Sequence, residues 1–279
     1  MNAMRHWVMG AGLFLFLGAF VHETVAQDRL PIIDMHMHTD GDFTLTVAAM
    51  ERYNIVLGFL SGDSPDDVFE WVEALPRRFI ASPIVRDPAD LDLARLRREY
   101  EAGRFGGMGE IASQYNGIAA DDPVLEPIFA LAEEFDVPVL IHSHGTGGPS
   151  TQFRIEIGRP TRIEEVLVRH PALRISIEAS GFPFLESTIA LMLHYPNVYG
   201  DLSTWKYTRE IFEWYLRRLL DAGLGSRLML GSDAGPRTEL IGESIEAIES
   251  ISFLTQVQKR DIFCNNAARF LSLDPVVCQ

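Results

Sequence analysis

The stretch Ile32-Ile33-Asp34-Met35-His36-Met37-His38 decides how the rest of this chain is read. It is an apolar run interrupted at every second position by a polar group. A strand turns alternate side chains to one face, so Asp34, His36 and His38 share a side. Two imidazoles at i and i+2 on one strand can ligate a single divalent ion without any loop rearrangement, and imidazole suits zinc, iron, nickel or copper. Alone, the pair reads equally well as two histidines on a half-buried strand.

Downstream of Arg29, apolar runs alternate with amphipathic segments. Strands are expected at 31–38, 55–60, 79–85, 106–111, 137–142, 173–179, 197–202 and 227–232. Helices are expected at 45–53, 66–75, 88–102, 123–135, 163–170, 184–194, 209–222 and 243–253, with a ninth at 256–271. Ser64 is a candidate N-cap before Pro65, and Gly103 a stop after the third helix. Eight strand–helix units in about 250 residues predict one α/β domain, a parallel (β/α)8 TIM barrel. A doubly wound sheet usually has fewer strands, and no glycine-rich dinucleotide fingerprint follows the first strand.

Composition fits this. The chain has 279 residues, 47% hydrophobic and 23% charged, with a net charge of −15. Such acidity repels phosphate backbones, so nucleic acid is not an expected partner. At the N-terminus, Arg5 and His6 precede an apolar run from Trp7 to Val21, then Thr24-Val25-Ala26. This is the pattern of a secretory signal cleaved before Gln27. The run is short of the roughly 20 residues a membrane span needs. The expectation is therefore a signal at 1–26, a barrel at 27–279, and an exported, periplasmic or secreted protein with no stable membrane span. Cys264 and Cys278 could pair in an oxidising compartment or stay as free buried thiols. A homo-oligomer stays open.

The barrel reading collects the polar residues that end the strands on one face. These are His36 and His38, Glu110, His142 with His144 two residues on, Glu178, Asp201 and Asp233. A charged or imidazole group ending a leucine- or isoleucine-rich run is costly unless it is paired or bound to metal. Four of the six histidines beyond residue 26 fall at such ends; His170 and His194 fall at helix ends, where a dipole role is the plain reading. Each carboxylate has a bland alternative as an ion-pair partner or turn cap. Convergence of all of them on one rim does not.

These residues resemble the amidohydrolase superfamily, in its amidohydrolase-2 branch, over nearly the whole chain after the signal. Ile33-Asp34-Met35-His36-Met37-His38 resembles the strand-one metal motif, Val139-Leu140-Ile141-His142 the strand-five ligand, and Leu230-Gly231-Ser232-Asp233 the end of strand eight. Asn266-Ala267-Ala268-Arg269-Phe270-Leu271 is similar to the closing helix. Glu110, after a glycine-rich fourth strand, resembles TatD-like relatives. Glu178 stands where many members have a histidine.

The resemblance implies a divalent ion, zinc foremost, as one or two ions held by His36, His38 and Asp233 with Glu110 or His142, and Glu178 as a further candidate. It implies hydrolysis of an amide, lactone or ester bond, with Asp233 moving the proton of an activated water. A metal-dependent decarboxylase or hydratase of a carboxylated small molecule is the alternative. A TatD-like nuclease ranks below on charge, and a barrel that binds without catalysis is the non-enzyme reading. His144 and Arg237 are candidate substrate contacts. Arg154, Arg159, Arg162, Arg237 and the 205–207 stretch suggest a small anionic substrate, and Gly145-Thr146-Gly147-Gly148-Pro149 a loop over it.

Overall fold

A computed structural model describes residues 29–148, 150–203 and 208–279. The expected signal and the 205–207 stretch lie outside them. Eight parallel strands run in chain order: β1 (Ile32–His38), β2 (Ile55–Gly62), β3 (Phe79–Pro83), β4 (Met108–Ile111), β5 (Val139–Ile141), β6 (Ile175–Ile177), β7 (Val198–Asp201) and β8 (Leu228–Met229). The fold is the expected (β/α)8 barrel.

The strands pair as two sheets, β1-β2-β3 and β4-β5-β6-β7-β8. Single bridges join them, Val85 with Ile111 at one seam and Met37 with Ala234 at the other. Hydrogen bonds carry the second seam from Met35 N to Leu230 O at 2.9 Å, Asp233 N to His36 O at 2.8 Å and His38 N to Ala234 O at 2.7 Å.

The outer ring holds α1 (Phe43–Tyr53), α2 (Pro65–Ala74), α3 (Leu93–Glu101), α4 (Glu126–Glu134), α5 (Glu164–Arg169), α6 (Leu185–His194), α7 (Arg209–Asp221) and α8 (Glu239–Glu249). Their inner faces repeat at helical spacing. In α7, Phe212, Tyr215, Leu216 and Leu219 are buried, each burial stabilising by about 1.5–3 kcal/mol. The expected third and fourth helices begin as single 3₁₀ turns at Pro88–Asp90 and Pro123–Leu125. There a proline sits at the first position and an aspartate caps the turn, which tightens the entry before the α-helix proper.

The expected ninth helix is broken into α9 (Gln256–Arg260), a π turn (Asp261–Asn265) and α10 (Asn266–Phe270). Thr255 opens it with a capping box, accepting from Gln258 N while Gln258 Oε1 accepts from Thr255 N at 2.9 Å, a motif worth about 1 kcal/mol. Leu57, Phe59, Leu140 and Met229 pack with Cys264, Ala267 and Phe270 of this closing segment. Leu140 alternates with Ile141, so it shares a face with His142. Cys264 and Cys278 form a disulfide. His170 ends α5 as expected, and it also bridges Glu126 and Glu133 of α4, at 2.9 Å each. Among the described residues, no helix is long and apolar enough to cross a membrane.

Candidate metal centre

The strand ends converge as expected. His36 Nε2 and His38 Nε2 stand 3.0 Å apart. Asp233 Oδ1 is 3.1 Å from His38 and 3.4 Å from His36. Glu110 Oε2 is 3.6 Å from His36 and 3.5 Å from His38. An ion holding N and O donors tetrahedrally at about 2.0–2.1 Å sets them roughly 3.3 Å apart. The three spacings among His36, His38 and Asp233 therefore have the span of one ion's donors, with Glu110 a further neighbour of both histidines, and these imidazoles and carboxylates suit a divalent cation.

Each corner is positioned by local chemistry. Asp233 has φ 55°, a left-handed conformation that swings its carboxylate back towards β1. Gly109 has φ 111°, and a Cβ there would lie 2.1 Å from Leu140 O; only glycine can deliver Glu110 into the barrel from so tight an approach. Ser61 Oγ donates to Gly109 O at 2.9 Å and Ser82 Oγ to the same oxygen.

His36 is backed by Asp201. Asp201 Oδ1 accepts from Ala179 N at 2.9 Å and from Ser203 Oγ at 2.6 Å. Its Oδ2 faces His36 Nδ1 at 3.4 Å. Both of these atoms are buried with no other hydrogen-bond partner. A carboxylate behind a ligating histidine fixes the tautomer and aims Nε2 at the metal. Asp34, expected on the histidine face, has Oδ1 accepting from His36 N at 3.1 Å and Ser232 N at 2.9 Å, and the β1–β2 pairing shifts register between Asp34 and Met37. Burial pushes its carboxyl up to about 6 against those bonds from Ser232 and His36.

The second cluster sits beside the cage. His142 Nδ1 is 2.8 Å from Glu110 Oε1 and 2.5 Å from Glu178 Oε2. His144 Nε2 is 3.0 Å from Glu178 Oε1. Of the two expected candidates for a fourth ligand, Glu110 turns Oε2 towards His36 and His38, and His142 faces its other oxygen. Glu178 is buried at the end of β6, where Ala179 and Ser180 both turn left-handed at φ 48° and 46°.

Charge follows this geometry. Burial works against a charged His36, but Asp233, Asp201 and Glu110 carry its pKa well above the ordinary range. Burial likewise opposes charge on His142, yet Glu178 and Glu110 raise it to about 9. Burial and the neighbouring Glu178 push Glu110 up, and hydrogen bonds from His142 and His36 outweigh them, holding it down to about 2. The carboxylates around His36 and His142 favour positive charge at both imidazoles. A divalent cation would take the place of protons there.

A cavity of about 680 Å³ opens over the cage, lined among others by His38, Glu110, His142, Glu178 and Asp233. Arg237 lines it as expected, half-exposed and paired with Glu239 at 3.1 Å. Three other expected cations turn elsewhere: Arg159 pairs with Glu156 and Arg162 with Asp121, at 2.9 Å each, and Arg154 donates to Thr151 O and Phe153 O, also at 2.9 Å. His144, expected at the substrate, is fully buried behind Glu178. Gly148 of the expected covering loop does reach the wall.

Sequence reading missed Arg86, Tyr115 and Asp40, which also line the cavity. Arg86 and Asp40 follow β3 and β1 in irregular turns and Tyr115 follows β4 in a single 3₁₀ turn, where no periodicity says which side chain faces inward. Position just past a strand end was the one available signal.

A (β/α)8 barrel with a histidine–carboxylate cage at its strand ends defines a class of metal-dependent enzyme. The family model for amidohydrolase matches residues 37–273, and the chain belongs to that family. It is 27% identical over 241 residues to a 2-amino-3-carboxymuconate-6-semialdehyde decarboxylase of Dictyostelium discoideum, covering 75% of this chain and 66% of that relative's length. Among solved structures it resembles a probable 2-pyrone-4,6-dicarboxylic acid hydrolase of Acinetobacter baumannii with citric acid bound. That match has TM-score 0.65 and 14% identity over 88% of this chain and 100% of that one. It also resembles a 5-carboxyvanillate decarboxylase of Novosphingobium aromaticivorans holding manganese and a nitrobenzoic acid ligand. There the TM-score is 0.62 and the identity 15%, over 88% of this chain and 97% of that one.

Proposed function

We propose that the protein is a metal-dependent hydrolase of an amide, lactone or ester bond in a small carboxylated molecule. The donor spacing of His36, His38, Glu110 and Asp233 carries this reading. Those four residues would hold the ion, for which zinc is our first choice. When bound, the ion would acidify water and polarise the scissile carbonyl.

The chain's own residues do the rest. Asp233 lines the cavity while its Oδ1 faces both histidines. It takes the proton of the attacking water and returns it to the leaving nitrogen or oxygen. Glu110 and Asp201 hold the histidines in place. Arg86 and Arg237 supply guanidinium donors to a substrate carboxylate. Arg86 is steadied by Asp63 at 2.8 Å.

A second reading, decarboxylation or hydration of a carboxylated substrate, is favoured by the Dictyostelium relative. Purified protein loaded with zinc or manganese and offered lactones, amides, esters and aromatic carboxylic acids separates the two. Ion-dependent ring or amide opening that is lost in Asp233→Asn supports hydrolysis. Release of carbon dioxide or uptake of water at a double bond, with no bond hydrolysed, replaces it with the second reading.

We further propose export, with the signal at 1–26 removed. The N-terminal pattern and the Cys264–Cys278 disulfide support it. N-terminal sequencing of the secreted fraction should begin at Gln27; a retained Met1 overturns it.

A further inference from the structure

We propose that His144 is a positioning residue that holds Glu178 as a hydrogen-bond-accepting carboxylate at the cavity wall, and that the His142–His144–Glu178 group is not a second cation site. This rests on the reading that the neighbouring cage holds an ion.

The tautomer of His144 carries the argument. The backbone N–H of Thr146 points at His144 Nδ1, 3.1 Å away. A peptide N–H can only donate, so Nδ1 must accept and the ring proton sits on Nε2. That Nε2–H faces Glu178 Oε1 at 3.0 Å. A protonated nitrogen has no lone pair for a metal, and the bond it makes requires an accepting oxygen on Glu178.

The ring cannot easily escape this arrangement. His144 is fully buried, and its ring centroid lies 4.0 Å from that of His142. Gln114 Nε2 donates to His144 O at 2.9 Å from the β4 side, and Gly145 N donates to Phe182 O at 2.7 Å on the β6 side. Packing and backbone bonds of this kind preorganise a site.

The spacing agrees. His142 Nδ1 is 2.5 Å from Glu178 Oε2 and 2.8 Å from Glu110 Oε1. Both are shorter than the roughly 3.3 Å between donors on one tetrahedral ion; the Glu110 contact is a hydrogen bond and the Glu178 contact a close ion pair. Glu178 thus faces the cavity as an acceptor, suited to a substrate N–H or O–H.

The test uses full-length protein with zinc alone as the probe, followed by calorimetry, metal analysis and ¹⁵N-histidine NMR. One zinc per chain is expected in wild type, H144A and H144Q. In zinc-loaded wild type, His144 Nε2 should keep its one-bond proton coupling. H144A should lower zinc affinity about 10-fold by loosening Glu178, His142 and then Glu110. H144Q, which keeps an N–H donor, should recover most of it. Two zincs in wild type with one lost in H144A, or a zinc-loaded Nε2 without a proton, overturns the proposal. So does an H144Q protein no better than H144A. If H144A does not fold, H144Q and the wild-type spectrum still decide. If no zinc binds at all, the metal reading fails, while the tautomer in the metal-free protein still tests this one: a proton on Nδ1 sinks it.

Discussion

The two histidine clusters of this site use the same residue types in different ways. Around β1, Asp233 and Glu110 hold their oxygens 3.1–3.6 Å from His36 and His38, whose own Nε2 atoms are 3.0 Å apart. At β5 and β6, His142, His144, Glu178 and the other Glu110 oxygen close to 2.5–3.0 Å. The first spacing suits atoms repelled from one another around a cation. The second suits a proton shared between acceptor and donor. Glu110 belongs to both, one oxygen to each, so the two clusters are mechanically coupled though chemically distinct.

The sharpest way to break this contrast is to remove a cage histidine. His36→Ala should abolish stoichiometric zinc, seen as metal lost on dialysis, whereas Glu178→Gln should keep it. Equal loss in both would merge the clusters into one ligand set. Next, Asp233→Asn should cut turnover by about 10²–10⁴ with little change in KM for whichever substrate is found. An unchanged kcat would remove Asp233 from proton transfer.

Asp201→Asn should weaken zinc binding about 10–100-fold, because an amide N–H turned towards His36 Nδ1 favours the wrong tautomer. Unchanged affinity would make Asp201 a turn cap only. At pH 7, His36 should carry a proton in the ion-free protein and lose it on ligation. Binding should therefore release about one proton, and affinity should fall as pH is lowered. Calorimetry in two buffers of different ionisation heat checks this; no buffer dependence contradicts it. The smallest effect on the site should come from Cys264→Ser with Cys278→Ser. Opening this loop should cost about 3 kcal/mol of stability, measured by denaturant unfolding, and leave zinc affinity unchanged.

How legible these features were in the sequence depended on periodicity. His36 and His38 were placed by strand alternation, and Asp233 and Glu110 by the apolar runs that end in them. The eight-unit repeat gave the barrel. What alternation does not encode is depth. His144 follows His142 at strand spacing, yet β5 has ended by then and the chain turns under Glu178. Asp34 alternates with the two histidines in sequence, yet it spends its carboxylate on backbone N–H groups. Arg86 and Tyr115 lie in turns, where inward or outward direction is set by packing. The ninth helix was read as continuous because Ile262, Phe263 and Cys264 keep an apolar face; the π turn that interrupts it leaves that composition unchanged.

The two-sheet construction of the barrel has a thermodynamic consequence. His36 and His38 belong to the three-stranded half, and Glu110 and Asp233 come from the five-stranded half. One ion in the cage would rivet the halves together across joints that ladder pairing closes only sparsely. Its binding energy would count directly towards completing the ring. Loading should then raise the melting temperature, and chelation should first loosen amide exchange along the two seams.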